Sequence, residues 1–259
     1  MTSLTIGCTI RALLYRYWLE YRQVWKALLV RDLMDRLLFL FAFGFGMGAI
    51  VREMGDVTYL AYIAPGIACS SPMMTMTMAT TFGAYERSNS SKVWQSWLAT
   101  PIRVPEILIS EIIYANLRSM PAVFILLALV WGMGALPNPA GVIYAIPLIL
   151  LANFTYGAIG LCFTAHINRI MYFTFINTLW MMPMYLFSGV FFDLSQTPMW
   201  MQTIAQIFPL THVINIVRPL LLEQNLETTT IIYSLFMLVA VFVLAFWYAS
   251  YAFTKKLMR

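Results

Sequence analysis

The 259-residue chain is 61% apolar and only 10% charged, whereas soluble domains carry roughly a quarter charged residues; a water-soluble globule of this size is excluded, and a bilayer must solvate much of its surface. The formal charge of +5 is spread along the sequence rather than gathered into a patch, which argues against nucleic acid as a partner. Cys8, Cys69 and Cys162 are far apart and form no metal-spaced pair, so neither a disulfide framework nor a metal site is expected.

The first ten residues are short and mixed, without the pattern of a cleavable secretory signal, so insertion is expected to rely on the first spanning helix. Residues 10–28 place Ile10, Leu13, Leu14, Tyr17, Trp18, Tyr21, Val24, Trp25 and Leu28 on one helical face, with Arg11, Arg16, Glu20, Gln23 and Lys26 elsewhere. Two Trp and three Tyr suit the headgroup zone, which favours an interfacial helix over a cytosolic one packed on a partner. Spans are expected at about 33–51, with Arg52, Glu53 and Asp56 at its far end, and at 59–82, interrupted by Pro65, Gly66 and Pro72. Further spans are expected at 107–135, 142–165, 171–191 and 229–253. Six helices of about 20 residues fit one membrane domain with no room for a large soluble one.

Six spans put both termini on one side with the loops at 83–105 and 166–169. That side holds Arg11, Arg16, Arg22, Lys26, Arg31, Arg36, Arg87, Lys92, Arg103, Arg169, Lys255, Lys256 and Arg259. Only Arg52 and Arg218 fall on the other side, with Arg118 inside the third span, so the positive-inside rule makes the basic side cytosolic.

None of the four lysines follows a glycine, so the G-x-x-x-x-G-K-[ST] phosphate loop is absent and the chain cannot power ATP-driven transport alone. His166 and His212 stand alone, and no catalytic motif or catalytic residue is found.

The loop Ser88-Asn-Ser-Ser-Lys-Val-Trp-Gln-Ser-Trp-Leu-Ala-Thr-Pro101 predicts a short helix, with the serines or Asn89 capping its start and Pro101 ending it. Val93, Trp94, Trp97 and Leu98 form an aromatic face that either inserts into a partner's groove or anchors the loop to lipid headgroups. In the third span Glu111, Asn116 and Arg118 are the polar residues. Glu111 and Arg118 share a stripe that must face protein or water, so Arg118 either pairs with a carboxylate such as Glu111 or Asp35, or lines a cytosolic vestibule. Residues 193–228 hold two apolar pieces, about 198–208 and 210–222, each too short to span and bounded by proline. They read as a re-entrant pair, which is either an outer gate or a plain interfacial hairpin.

These features together resemble the type 2 ABC exporter permeases, in particular the NodJ-type branch. The carriers are Phe43-Gly-Phe-Gly-Met-Gly48, Tyr62-Ile-Ala-Pro-Gly66, Leu98-Ala-Thr-Pro101, Leu186-Phe-Ser-Gly-Val-Phe-Phe192 and Phe208-Pro-Leu-Thr-His212 with Arg218-Pro219. The likeness covers nearly the whole chain, and the last two motifs are the most specific.

The resemblance implies an all-α polytopic permease in a bacterial inner membrane with both termini cytosolic. It would comprise a connecting helix over residues 1–30 and a transmembrane domain over 31–259. Its partners would be a second copy of itself and two cytosolic ABC ATPase subunits, which bind ATP and Mg; this chain itself would hold no cofactor. Residues 88–100, with Val93, Trp94, Trp97 and Leu98, become the coupling helix. Phe191, Phe192, Pro209, His212 and Arg218 are the outer-gate candidates, and Glu111, Asn116 and Arg118 the inner-vestibule candidates. The expected cargo is an amphiphile: a glycolipid, lipo-oligosaccharide, polysaccharide or drug. The alternative is a proton- or ion-coupled secondary transporter, which needs titratable groups inside the spans.

Overall fold

The computed structural model describes residues 6–51, 53–54, 57–138 and 140–257. Arg52, Asp56 and Arg259, used above as topology markers, lie outside the described residues.

The first helix, α1 (Ile6–Phe41), joins two expected elements: the amphipathic N-terminal stretch runs unbroken into the first part of the expected 33–51 span. Neither Pro nor Gly occurs between Cys8 and Phe41, and sharp kinks almost always need one of these or a π-type insertion. Of the stripe expected on its first half, Leu13 and Tyr17 are buried, while Trp18, Val24 and Trp25 remain exposed. At Ala42 the helix widens into a π-type turn through Met47. A hairpin of two-residue strands follows, β1 (Glu53–Met54) paired antiparallel with β2 (Val57–Thr58). It is the sole β pairing among the described residues of an otherwise helical chain.

Thr58 caps α2 (Tyr59–Met78), its hydroxyl accepting from the Ala61 amide at 3.4 Å. The expected interruption at Pro65 and Pro72 is absent, and the helix runs through both prolines. Seventeen of its 20 residues are buried, so α2 is the central strut. That position accounts for its polar Ser70, Ser71, Thr75 and Thr77, which face protein rather than lipid. The chain then passes through π-type turns at Ala79–Gly83 and Glu86–Ser90 to α3 (Val93–Leu98).

Next come α4 (Val104–Gly132) and α5 (Gly141–His166). The fifth expected span is a jointed stretch: α6 (Tyr172–Ile176), a π-type turn and α7 (Met182–Phe187). The short helices α8 (Met199–Ala205) and α9 (Pro209–Leu221) meet at 95°, a bend that permits either a broken span or a re-entrant loop. Last is α10 (Thr228–Leu257).

Among the described residues, α4, α5 and α10 are each long and apolar enough to cross a membrane on those grounds alone. The other three expected spans do not meet that standard singly, for identifiable reasons. Lys26, Arg31, Asp32, Asp35 and Arg36 interrupt α1, polar interior residues dilute α2, and the fifth is jointed. Glycines let α5 lie close against its neighbours: a Cβ at Gly160 would overlap the Thr80 side chain in the turn after α2, and one at Gly157 would crowd Met76 of α2 and Ile112 of α4.

The two ends of the bundle have distinct memberships. At one end Tyr85 donates its hydroxyl hydrogen to Asn168 O (2.7 Å), Lys256 Nζ donates to Ile167 O (3.3 Å), and the Trp94 ring lies 5.0 Å from that of Phe253. At the other, Asn138 Nδ2 donates to Leu220 O (3.2 Å) and Arg218 Nη2 to Gly189 O (2.7 Å). The 83–105 loop, the 166–169 loop and the end of α10 therefore share one end, as an even number of crossings requires.

Candidate functional site

At the first of these ends a single carboxylate gathers three separate segments. Glu111, in the second turn of α4, is 1% exposed. Its Oε1 accepts from Tyr17 Oη of α1 (2.5 Å), Arg87 Nε (2.6 Å) and Trp94 Nε1 of α3 (3.2 Å), and its Oε2 accepts from Arg87 Nη2 (2.5 Å). The Arg87 fork is bidentate, the geometry in which guanidinium and carboxylate bind most strongly. Tyr17 also stacks on Tyr114 (4.6 Å) and meets Trp97 edge-on (5.8 Å), while the Arg87 guanidinium lies 5.4 Å from the Tyr17 ring centre. The first helix, the loop and α4 are thus joined through one buried charge.

This arrangement corrects the reading of the loop. Trp94 is fully buried and Trp97 8% exposed; both anchor the loop to its own bundle and leave no aromatic face for a partner's groove. The indole N–H of Trp94 is consumed by Glu111, and Arg16 covers the Trp97 ring at 5.0 Å. Val93 and Leu98 are half-buried against the core. The outward face consists instead of Ser91, Lys92, Gln95, Ser96, Ala99 and Thr100. The expected side-chain cap is absent as well: Lys92 starts α3 in the left-handed region (φ 52°) without a side-chain cap bond.

The vestibule candidates separate. Arg118 does not pair with Glu111, which Arg87 occupies, and Asp35 forms no ion pair with it; the only ion pairs among the described residues are Arg31–Asp32 and Arg87–Glu111. Arg118 Nε is buried without a hydrogen-bond partner. Asn116 belongs to helix packing: its Oδ1 accepts from Asn153 Nδ2 (2.9 Å), and its Nδ2 donates to Leu150 O (3.3 Å), tying α4 to α5.

At the opposite end the gate candidates form a clasp. Arg218 of α9 donates through Nη2 to Gly189 O (2.7 Å) and Val190 O (3.1 Å), through Nε to Tyr62 O (3.2 Å) and through Nη1 to Tyr62 Oη (3.1 Å), with its guanidinium 3.9 Å from the Tyr62 ring centre. Gly189 takes φ +77°, a conformation open to glycine, and this turns its carbonyl chain toward α9. Phe191 meets Phe43 at a tilt (4.6 Å) and Tyr185 edge-on (5.1 Å), and its carbonyl accepts from Tyr59 Oη (3.2 Å). Phe192 is half-buried beside it. Pro209 opens α9 at its first turn, where a missing N–H is harmless. His212, 2% exposed, bonds Gln206 O through Nε2 (3.0 Å) and meets the Tyr233 ring. All five residues are brought to one end around the α8–α9 bend.

Sequence reasoning did not single out Tyr17, Arg87 or Arg36. Tyr17 reads as one of several interfacial aromatics and Arg87 as a loop charge. Arg36 carried a signal that points to the wrong partner: its i, i+4 spacing from Asp32 suggests an ion pair on one face of α1, whereas Asp32 pairs with Arg31 and Arg36 reaches α2.

The profile of the ABC-2 type transporter family matches residues 9–222, which take in both the Glu111 junction and the Arg218 clasp. The chain belongs to the ABC-2 type transporter family. It is 30% identical over 213 residues to Nodulation protein J of Sinorhizobium fredii (strain NBRC 101917 / NGR234), a match covering 80% of each chain. The same identity holds over 213 residues of Nodulation protein J from Rhizobium leguminosarum bv. trifolii, covering 80% of this chain and 79% of that one. Nodulation protein J of Bradyrhizobium diazoefficiens is 28% identical over 244 residues, 94% of this chain and 92% of the relative. This ABC-2 transporter chain is therefore an ABC exporter permease: a multi-pass helical transport subunit of a bacterial cell membrane that works with an ABC ATPase subunit.

Proposed function

We propose that two copies of this permease form the membrane half of the exporter and that each receives one cytosolic ATPase subunit on the outward face of its 91–100 loop. ATP and Mg bind wholly within the ATPase subunits, and the assembled complex hydrolyses ATP to move an amphiphile (a glycolipid, lipo-oligosaccharide, polysaccharide or drug) out of the cytosol or inner leaflet. Both termini are cytosolic, on the side where the basic residues gather.

The observation that carries this reading is the Glu111 junction. A motor can move spans only through contacts that do not yield, and here the loop is fastened to α4 and α1 by a buried bidentate ion pair and two further hydrogen bonds. ATP binding shifts the permease between inward and outward states only in so far as the two states differ in affinity for ATP-bound ATPase. The same geometry weakens the ion-coupled alternative at Glu111, because Arg87, Tyr17 and Trp94 occupy that carboxylate.

Purifying the tagged chain should bring down an ABC ATPase, and a permease that moves cargo with no ATPase present would overturn the reading. Substituting Ser96 and Ala99, both exposed, together by Arg should lower transport per ATP hydrolysed by roughly tenfold, the effect of losing about 1.4 kcal/mol of coupling, while the protein still inserts and melts normally. Unchanged coupling would remove the loop face from the docking site. A cysteine at Ser91, exposed on the loop, should react with a membrane-impermeant maleimide only from the cytosolic side; reaction in intact cells from outside would reverse the orientation.

A further inference from the structure

Between α1 and α2 lies a cavity of about 240 Å³, open to the surface and walled by apolar side chains that include Phe39, Met74 and Tyr185. Its floor is polar. Arg36 of α1 is 4% exposed and spends one end of its guanidinium on α2, Nη2 donating to Ser71 O (3.3 Å) and Thr75 Oγ1 (3.0 Å). The other end, Nη1, is buried with no hydrogen-bond partner. The hydroxyl of Ser71, which is 8% exposed, is likewise buried and unpartnered, and both residues line the cavity.

Buried polar groups are normally satisfied, and a buried guanidinium normally meets a carboxylate or phosphate. No carboxylate of the described residues lies within ion-pair distance of Arg36. Asp32, one turn away and buried, is taken by Arg31 at 3.2 Å. The cavity thus holds an unused N–H donor of a full cation beside a free hydroxyl, both under an apolar wall. That combination is selective: an acidic oxygen satisfies the two donors, and a hydrocarbon chain covers Phe39, Met74 and Tyr185. Arg31, Asp32 and Asp35 line the cavity too; Arg31 and Asp32 pair with each other, and the exposed Asp35 sets an upper limit on charge, since a multiply charged head would meet its carboxylate. At about 240 Å³ the space is slightly below the roughly 300–1,000 Å³ of drug-sized sites, which suits a head group and the first part of a chain.

We propose that this cavity binds the singly charged acidic head group of an amphiphile, with Arg36 Nη1 and Ser71 Oγ donating to its anionic oxygens and the first part of its chain against the apolar wall. Binding is a property of this chain alone; that the bound molecule is cargo rests on the exporter reading above.

The test uses the full chain purified with its ATPase subunit in dodecyl maltoside, titrated with octyl sulfate, octyl glucoside and inorganic sulfate and followed by native mass spectrometry. Octyl sulfate should bind at least about tenfold more tightly than octyl glucoside, as expected for hydrogen bonds to a charged group. Arg36→Gln should abolish that preference. Because Arg36 also ties α1 to α2, Ser71→Ala provides the gentler variant: it deletes only an unpartnered hydroxyl and should reduce the preference by roughly threefold. Asp35→Asn should increase it.

Equal affinity for octyl sulfate and octyl glucoside in the unaltered chain would overturn the proposal, as would a preference that survives both Arg36→Gln and Ser71→Ala. Competition by inorganic sulfate at equal concentration would assign the site to a tail-less anion and remove the amphiphile. Loss of the ATPase from the preparation would instead sink the exporter reading, so the two failures are separable.

Discussion

Replacing Glu111 by alanine should be the most damaging single change in the permease. The substitution strands the Arg87 guanidinium, whose side chain is only 14% exposed, and breaking a buried ion pair from one side costs about 3–5 kcal/mol. The Tyr17 hydroxyl and the Trp94 indole N–H lose their acceptor at the same time, so the loop, α1 and α4 all lose their common fastening. Glu111→Ala should therefore lower the thermal midpoint of the detergent-solubilised protein sharply or abolish its accumulation. The pairwise nature of the interaction can be checked with a cycle. Arg87→Met combined with Glu111→Leu removes both charges, and an apolar replacement of a buried pair is often near neutral, so the double variant should be more stable than Glu111→Ala alone. Strict additivity of the losses measured for Arg87→Met and Glu111→Leu singly would show that Arg87 and Glu111 are not coupled.

The second large effect is expected at the opposite end. Arg218→Met removes four donor contacts that hold α9 to α2 and to the 189–190 turn. Hydrogen bonds to a charged group contribute about 1.5–3 kcal/mol each, though not additively, so a loss of roughly 3 kcal/mol or more is expected. Hydrogen exchange should then rise selectively over residues 188–222 while α4 and α5 keep their protection. Arg218→Lys should restore only a small part, because a single ammonium cannot reproduce a planar fork that serves three carbonyls and a hydroxyl at once. Uniform exchange across the bundle in Arg218→Met would contradict a local clasp.

The helical, bilayer-solvated architecture was legible because it depends on composition and on the lengths of apolar runs, which a bilayer reads directly. The break between α8 and α9 was legible for the same reason: Pro209 and two short apolar pieces leave few alternatives. Partner choice was not legible. On the sequence Glu111 faces Arg118 along one helix, yet its actual partner, Arg87, sits 24 positions away on a loop, and no helical periodicity connects the two. The direction of the tryptophans was hidden because period alone gives a face without saying whether it turns inward or outward. Trp94 turns inward because its indole N–H has a buried acceptor waiting. Pro65 and Pro72 misled in the other direction: inside a packed bundle proline is tolerated within a helix, and α2 continues through both.

The continuity of α1 has a mechanical consequence. Tyr17, at the Glu111 junction, and Arg36, at the cavity floor, are nineteen positions apart on one helix without Pro or Gly between them, a separation of about 28 Å at 1.5 Å per residue. A rigid segment of that length is a lever: a swing of about 10° around Tyr17 would carry Arg36 sideways by about 5 Å. Such a stroke is longer than any hydrogen bond Arg36 makes to Ser71 or Thr75. Rocking at the loop end would therefore break the grip of α1 on α2 and remake the chamber between them, with no flexible joint required in between.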